Sequence, residues 1–201
     1  MATDRKGVIL DAFRNLVRRF GVDKTTMQDV AREAGISVGV IYKDFINKDD
    51  LVEAYIHKLV DQIINECQRL AEQPKPPREL LHDVLIGFCS LLGEHVSQDR
   101  GFFQCIFGNV QVGQFRQQTM KYEGAFGPRL KTIIVNILRQ GQAAGAFELD
   151  DIEEDAVCLL NSFAFFVFDL VLNAQKPEII LPKAERMFCF VIKAIDKGKN
   201  S

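Results

Sequence analysis

Apolar residues recur at helical spacing along most of the chain. Within residues 5–20 they fall on one stripe with a period of 3.6 residues. No window shows the sustained two-residue alternation of a strand, and Asn-Gly and Asp-Gly hairpin turns are missing. The spacing predicts an all-α fold with helices near residues 5–20, 27–34, 37–43, 48–72, 78–97, 99–109, 115–143, 151–174 and 182–197.

Composition limits the class of protein. The 201 residues are 47% hydrophobic and 26% charged. A chain of this length and apolar content can bury a sizeable core, so disulfide bonds or a structural metal are not required for stability. No apolar run approaches the roughly 20 residues of a membrane span. Residues 1–20 contain Asp4 and Asp11, unlike a secretory signal. We therefore expect a cytoplasmic protein with no membrane partner.

Cysteine and histidine are too scattered to form a metal site. The chain has no Cys-x-x-Cys motif and no histidine pair three or four residues apart. We expect no metal and no cofactor. We interpret the five cysteines as reduced core residues, namely Cys67, Cys89, Cys105, Cys158 and Cys189.

Charge is distributed unevenly along the chain. Residues 1–48 hold nine Lys/Arg and six Asp/Glu, which is a surplus of three positive charges. Residues 49–201 hold sixteen Lys/Arg and twenty-one Asp/Glu, which is a surplus of five negative charges. A small basic unit joined to a larger acidic one suggests that the N-terminal part meets a polyanion.

The most informative stretch runs from Lys24 to Lys48. Thr26 and Asp29 have the spacing of a capping box at the start of a helix. Gly35 lies where a tight turn needs a positive φ, and Ser37 can cap the next helix. Two short helices around such a turn are typical of a helix-turn-helix, whose second helix enters the major groove of DNA. A generic helical hairpin has the same spacing and remains an alternative.

Lys48 adds a second indication of DNA binding. It is predicted in the first turn of a long helix capped by Asn47, where the helix dipole disfavours a cation. A phosphate bound at this helix start would explain the lysine. A solvated lysine at the end of a loop is the alternative.

Short groups of residues along positions 5–52 together form a recognisable pattern, namely Ile9-Leu10-x-Ala12-Phe13, Phe20-Gly21-Val22, Thr25-Thr26, Asp29-Val30-Ala31, Ala34-Gly35-Ile36-Ser37, Gly39, Ile41-Tyr42, Phe45 and Lys48-x-x-Leu51. In this pattern, residues 5–52 resemble the DNA-binding domain of the TetR family of transcriptional regulators. The sequence departs from the family's pattern at Val40 and at Lys43-Asp44, and both departures bear on the operator sequence.

The resemblance implies a domain organisation and a DNA-contacting surface. Residues 1–47 would form a three-helix helix-turn-helix domain, and residues 48–201 a larger helical bundle for ligand binding and dimerisation. Phosphate contacts would position the protein on double-stranded operator DNA, and side chains in the groove would read its sequence. The implied DNA-binding residues are Thr26, Tyr42 and Lys48 on phosphates, Gln28, Val38, Gly39 and Val40 on base edges, Lys43 near the groove wall, and Ser37 at the start of the recognition helix.

The C-terminal helices predict a homodimer. Residues 156–172 are apolar on nearly every side, so the helix needs cover on every side, and a partner subunit can supply part of it. The resemblance implies that the last two helices of each subunit form this interface. A monomer with a central buried helix is the alternative. The predicted dimerisation residues are Leu160, Phe163, Val167, Phe188, Val191 and Ile195.

The middle helices suggest a pocket for a small-molecule effector. Pockets between bundle helices are mostly apolar with a few polar anchors. Each aromatic residue at helical spacing can equally be an ordinary core residue. The predicted ligand-binding residues are Phe88, Phe102, Phe103, Phe107, Tyr122, Phe126, Asn161 and Phe165.

Catalysis has little support in the sequence. The chain lacks the nucleophile-elbow, phosphate-loop, dinucleotide-binding and zinc-protease motifs. The acidic residues between positions 150 and 155 are interpreted as a solvated helix start. We expect a repressor that binds a pseudo-palindromic operator as a dimer and is released by a small, largely apolar ligand. The alternative is a constitutive DNA-binding protein whose C-terminal bundle only dimerises.

Overall fold

The protein is a helical bundle preceded by three N-terminal helices, of which the second and third are short. Its computed structural model describes residues 4–107, 112–173 and 175–197, and within these ranges the side chains outside residues 107–125. The regular elements of this part are all helices, which confirms the all-α prediction. They are α1 (Arg5–Phe20), α2 (Met27–Glu33), α3 (Val38–Asp44), α4 (Lys48–Ala71), α5 (Pro77–Gln98), α6 (Arg100–Phe107), α7 (Val112–Ala143), α8 (Ile152–Val171) and α9 (Pro177–Ile195).

Local sequence signals fix the first three helices. The predicted capping box of Thr26 and Asp29 opens α2, and Gly35 turns the chain towards α3 with φ of 67°. The apolar stripe of α1 then packs against α2, which in turn packs against α3. Ile9, Phe13 and other large side chains of this small core have no measurable exposure.

The long helix α4 links these three helices to the rest of the chain. Asn47 caps it as predicted, with its side-chain oxygen accepting a hydrogen bond from Asp50 N at 2.9 Å. Its buried residues pack against α1 on one side and against α5 and α7 on the other. The bundle core continues through Leu81, Leu85 and Leu138, which are fully buried.

Helix α9 begins five residues earlier than predicted. The structure starts it at Pro177 and carries it through Pro182. A proline in the first helical position costs little, because its missing N–H would have no intrahelical partner there. Pro182, the predicted first residue of this helix, therefore lies inside it, in the second turn.

The prediction that all five cysteines lie in the core is wrong for three of them. Cys67 and Cys89 are buried, whereas Cys105, Cys158 and Cys189 are exposed. Burial raises the pKa of both buried thiols, Cys67 and Cys89, to about 12, so they stay protonated and inert. No helix in the described ranges has the length and apolar character needed to cross a bilayer.

Candidate nucleic-acid interface

Helix α3 presents its predicted reading face to solvent. Ile41 points into the small core, while Val38, Gly39 and Lys43 are exposed and Val40 is half-buried. Tyr42 is 52% exposed, and Gln28 of the neighbouring helix α2 is also exposed. No atom lies within 4 Å of the position that a Cβ would occupy on Gly39. The arrangement leaves the α3 surface free to approach a groove closely.

An ion pair holds the end of α3 against the start of α1. Arg5 donates from Nε to one Asp44 oxygen at 2.6 Å and from Nη2 to the other at 2.8 Å. The hydrogen bonds from Arg5 lower the pKa of Asp44. Because Arg5 pairs with this carboxylate, Asp44 offsets less of the attraction between a phosphate and the neighbouring exposed Lys43.

Ser37 stands at the N-cap position of α3, but its side chain makes no capping hydrogen bond. The prediction of a side-chain cap is therefore wrong. The backbone carbonyl of Ser37 accepts from Val40 N at 2.9 Å. The exposed hydroxyl at the helix start is thus not used in closing the turn.

The donors of Thr26 are already engaged within the protein. Its hydroxyl donates to Asp29 Oδ2 at 2.6 Å, and its amide donates to the same oxygen at 3.2 Å. These hydrogen bonds lower the pKa of Asp29. A phosphate at this end of α2 would therefore use the first-turn amides of Met27 and Gln28, which have no intrahelical acceptor.

Lys48 also has a structural role that the sequence did not indicate. Its Nζ donates to the carbonyl of Val22 at 3.1 Å and lies 3.5 Å from the carbonyl of Asp23. The half-buried ammonium thus ties the start of α4 to the loop between α1 and α2. A phosphate would share this ammonium with the loop.

Ile46 is an exposed apolar residue that sequence reasoning missed. It lies in the loop between α3 and α4 and is 79% exposed, near Tyr42 and Lys48 in sequence. Its isolated position in a loop leaves no periodic pattern that could have identified it.

The predicted dimerisation residues divide into buried and half-buried ones. Phe163 and Phe188 point into the subunit core, so their assignment to a dimer face is wrong. Phe188 packs edge-on against His82 at 5.0 Å between ring centroids. The other four predicted residues are half-buried and pack against the same core, namely Leu160, Val167, Val191 and Ile195.

The exposed apolar surface lies on the other sides of α8 and α9. Phe165 is 65% exposed and stacks on Phe168 with 6.1 Å between ring centroids, and Phe190 is 73% exposed. Phe165 was predicted to line the ligand pocket, and this exposure contradicts that prediction. Asn161, one turn before it, is also exposed rather than internal.

The other predicted pocket aromatics mostly pack on one another. Phe88 and Phe126 meet edge-on at 5.8 Å, and Phe102 meets Phe103 at 5.6 Å. Phe102 also borders an open cleft of about 400 Å³ between α1 and the start of α6. The predicted residues Phe107 and Tyr122 lie outside the described side chains.

The described residues contain no group of three or more metal-binding side chains that could hold an ion. In the acidic segment before α8, the side chain of Asp151 accepts from the amides of Glu153 and Glu154 at 2.9 and 3.2 Å. Glu153 in turn pairs with Lys131 and Arg139. The segment is therefore a helix cap with surface ion pairs.

Comparison with known proteins agrees with this geometry. Residues 9–55 match the family described as bacterial regulatory proteins, tetR family. An HTH-type transcriptional regulator of Bacillus subtilis, YhgD, is 27% identical over 171 residues, covering 84% of this chain and 85% of that protein. The nicotine-responsive repressor HdnoR of Paenarthrobacter nicotinovorans is 29% identical over 82 residues, covering 41% of this chain and 42% of that one.

Solved structures share the whole fold. A crystal structure of a TetR-family transcriptional regulator from Mesorhizobium loti superposes with a TM-score of 0.69 at 15% identity, covering 96% of both chains. The similarity therefore extends beyond the N-terminal helices to the C-terminal bundle.

Proposed function

Since the chain belongs to the TetR family of transcriptional regulators, we propose that it is a repressor that binds a pseudo-palindromic operator as a homodimer. Residues 1–47 form the DNA-binding domain in this proposal, and residues 48–201 form the dimerisation and effector domain. A small, largely apolar molecule bound in the larger domain releases the operator.

The exposed face of α3 carries the proposal. Val38, Gly39 and Tyr42 face solvent, although valine and tyrosine side chains would gain from burial. Valine methyls fit the thymine methyl in the major groove, and Gln28 can bond adenine through two hydrogen bonds. Lys43 supplies a cation for the phosphates at the groove wall.

Two exposed aromatics support the homodimer. Phe165 and Phe190 lie on α8 and α9, which pack against each other, and both rings are mostly in solvent. A second copy of the chain would cover them by two-fold pairing of the two helices. The same two-fold axis would place two recognition helices on successive turns of one face of the DNA.

The aromatic interior supports an apolar effector. Phe88 of α5 meets Phe126 of α7 edge-on, and Phe102 and Phe103 of α6 meet in the same way. Such an interior would accept an apolar molecule that replaces ring contacts with its own. The close packing of these rings also favours the second candidate, a constitutive regulator whose bundle only dimerises.

Selection of duplexes from a random pool by the native protein tests the proposal. We expect enrichment of one sequence with two related half-sites, and loss of enrichment in the Tyr42→Ala, Lys43→Ala double variant. Absence of any enriched sequence contradicts the proposed function. A single unpaired half-site contradicts the dimeric operator.

Release of the selected duplex distinguishes the two candidates. A library of apolar compounds is added to the complex, and operator affinity is measured for each compound that binds the protein. A hundredfold loss corresponds to about 2.7 kcal/mol of coupling. Equal affinity with and without every bound compound would favour the constitutive regulator.

A further inference from the structure

A buried carboxylate lies where the N-terminal helices meet the bundle. Asp99 is 3% exposed, and Thr25 is the other buried polar residue in the described part of the chain. Asp99 is the C-cap of α5, and its carbonyl accepts from the amides of Phe102 and Phe103 at the start of α6. Its backbone thus forms the junction between α5 and α6.

The Asp99 side chain binds residues of two other helices. Arg14 of α1 donates from Nε to Oδ2 at 3.1 Å, and Arg18, one turn later, donates from Nε to Oδ1. Tyr55 of α4 donates its hydroxyl to Oδ2 at 2.7 Å. The adjacent Gln98 accepts from Nη2 of both arginines, at 3.1 and 3.2 Å.

The surroundings hold this network in one arrangement. The ring of Tyr55 lies between Phe13 of α1 and Phe102 of α6, edge-on to both, with centroids 6.1 and 4.9 Å away. Burial and the bond to Asp99 raise the pKa of Tyr55, so its hydroxyl remains a donor. A buried carboxylate with these partners cannot change orientation without leaving a charge unpaired.

The network ties α1 to the α5–α6 junction by directional bonds. The Arg5–Asp44 pair fixes α3 to α1, and α2 packs against both helices. The orientation of α1 on the bundle therefore determines where the α3 surface points. In a dimer, that orientation determines the distance and angle between the two α3 surfaces.

We propose that Asp99 is a positioning residue that sets the spacing of the two half-sites the dimer can bind. This inference rests on the proposed function. Asp99 makes no contact with DNA in this role. It acts through Arg14 and Arg18, which hold the N-terminal domain at one angle to the bundle.

The Asp99→Asn variant tests the role with little change in shape. Its amide loses the negative charge and turns an NH2 group towards the guanidinium donors. The matched control is Arg19→Gln, because Arg19 is on the same helix but pairs with Glu33 inside the N-terminal domain at 2.5 Å. Circular dichroism verifies that both variants are folded.

The readout is affinity for a series of duplexes. Each duplex carries the half-sites selected by the native protein, with the spacer lengthened or shortened by one or two base pairs. We expect Asp99→Asn to lose about tenfold in affinity for the native spacing, as for a lost hydrogen bond to a charged group. It should bind the altered spacings nearly as well as the native one, while Arg19→Gln keeps the native preference.

Retention of the native spacing preference by Asp99→Asn would overturn the inference and leave the proposed function intact. Failure of the native protein to select any duplex removes both. If Asp99→Asn does not fold, the Arg14→Gln, Arg18→Gln double variant replaces it, because these side chains are partly exposed. The same loss of spacing preference is then expected.

Discussion

Adding one methyl group at Gly39 should stabilise the protein and weaken its DNA binding. Gly39 is the second residue of α3, is exposed, and has a helical backbone without a positive φ. A Cβ there would meet no atom within 4 Å. In the free protein, Gly39→Ala therefore removes backbone freedom from the unfolded chain without creating a clash.

The two effects have opposite signs and measurable sizes. Glycine costs about 0.5–1 kcal/mol relative to alanine inside a helix, and a position in the first turn belongs at the lower end. For a chain of this length, that corresponds to a rise of about 1–2 °C in the unfolding temperature. At the DNA surface, an added methyl that must be accommodated costs about 1–3 kcal/mol, which corresponds to a loss of roughly five- to 150-fold in affinity.

Calorimetry and fluorescence anisotropy with the selected duplex measure the two quantities. Gly101→Ala is the matched control, because Gly101 is the second residue of α6, is exposed and also has open space at its Cβ position. It should raise stability without affecting DNA affinity. Gly35→Ala should lower stability, because φ is 67° there. If Gly39→Ala binds the duplex as tightly as the native protein, α3 does not approach the DNA at this residue.

Three further predictions concern charge, pH and assembly. Lys43→Gln should reduce the slope of log affinity against log salt by about 0.9, the value for one phosphate, and an unchanged slope would remove Lys43 from the contacts. Burial lowers the pKa of His82, but hydrogen bonds to Glu185 and Asp83 outweigh it, so that the pKa is raised overall. Protonated His82 therefore stabilises the folded state at low pH, and this contribution is lost as the pH rises through the raised pKa. The unfolding temperature of His82→Asn should accordingly approach that of the native protein as the pH increases from about 6 to 8, and a constant difference would contradict this reasoning. Phe165→Ser with Phe190→Ser should give a monomer in sedimentation velocity at micromolar concentration, whereas an intact dimer would place the interface elsewhere.

The parts of the fold set by local chemistry could be predicted from the sequence. The Thr26–Asp29 capping box, the left-handed Gly35 and the Asn47 cap each depend on residues within a few positions of one another. Their spacing is visible in the sequence. For the same reason most residues expected on the DNA-contacting face of α3 are exposed, with Val40 half-buried, since the inward position of Ile41 fixes the others by helical geometry.

Contacts between distant residues could not be predicted in this way. Asp99 lies more than 80 positions from Arg14 and Arg18, and no pattern in the sequence relates them. The bonds of Lys48 to the Val22 carbonyl likewise depend on how α4 meets a loop 26 residues earlier.

The proposed dimer face illustrates a limit of predicting exposed residues from hydrophobic periodicity. α8 is apolar on most sides, so hydrophobicity alone does not distinguish the inward ring of Phe163 from the outward ring of Phe165. In α9 the regular stripe that includes Phe188 faces the subunit core, and the exposed Phe190 falls outside it. Packing of the whole bundle decides which ring is exposed.

Hydroxyl-radical footprinting of the native protein on its selected duplex shows directly whether two copies of the α3 surface bind the DNA. We expect two protected patches related by two-fold symmetry on one face of the DNA, about one helical turn or more apart. Tyr42→Ala should weaken protection at both patches equally. A single patch, or protection that Tyr42→Ala leaves unchanged, would contradict the claim that two copies of the α3 surface bind the DNA.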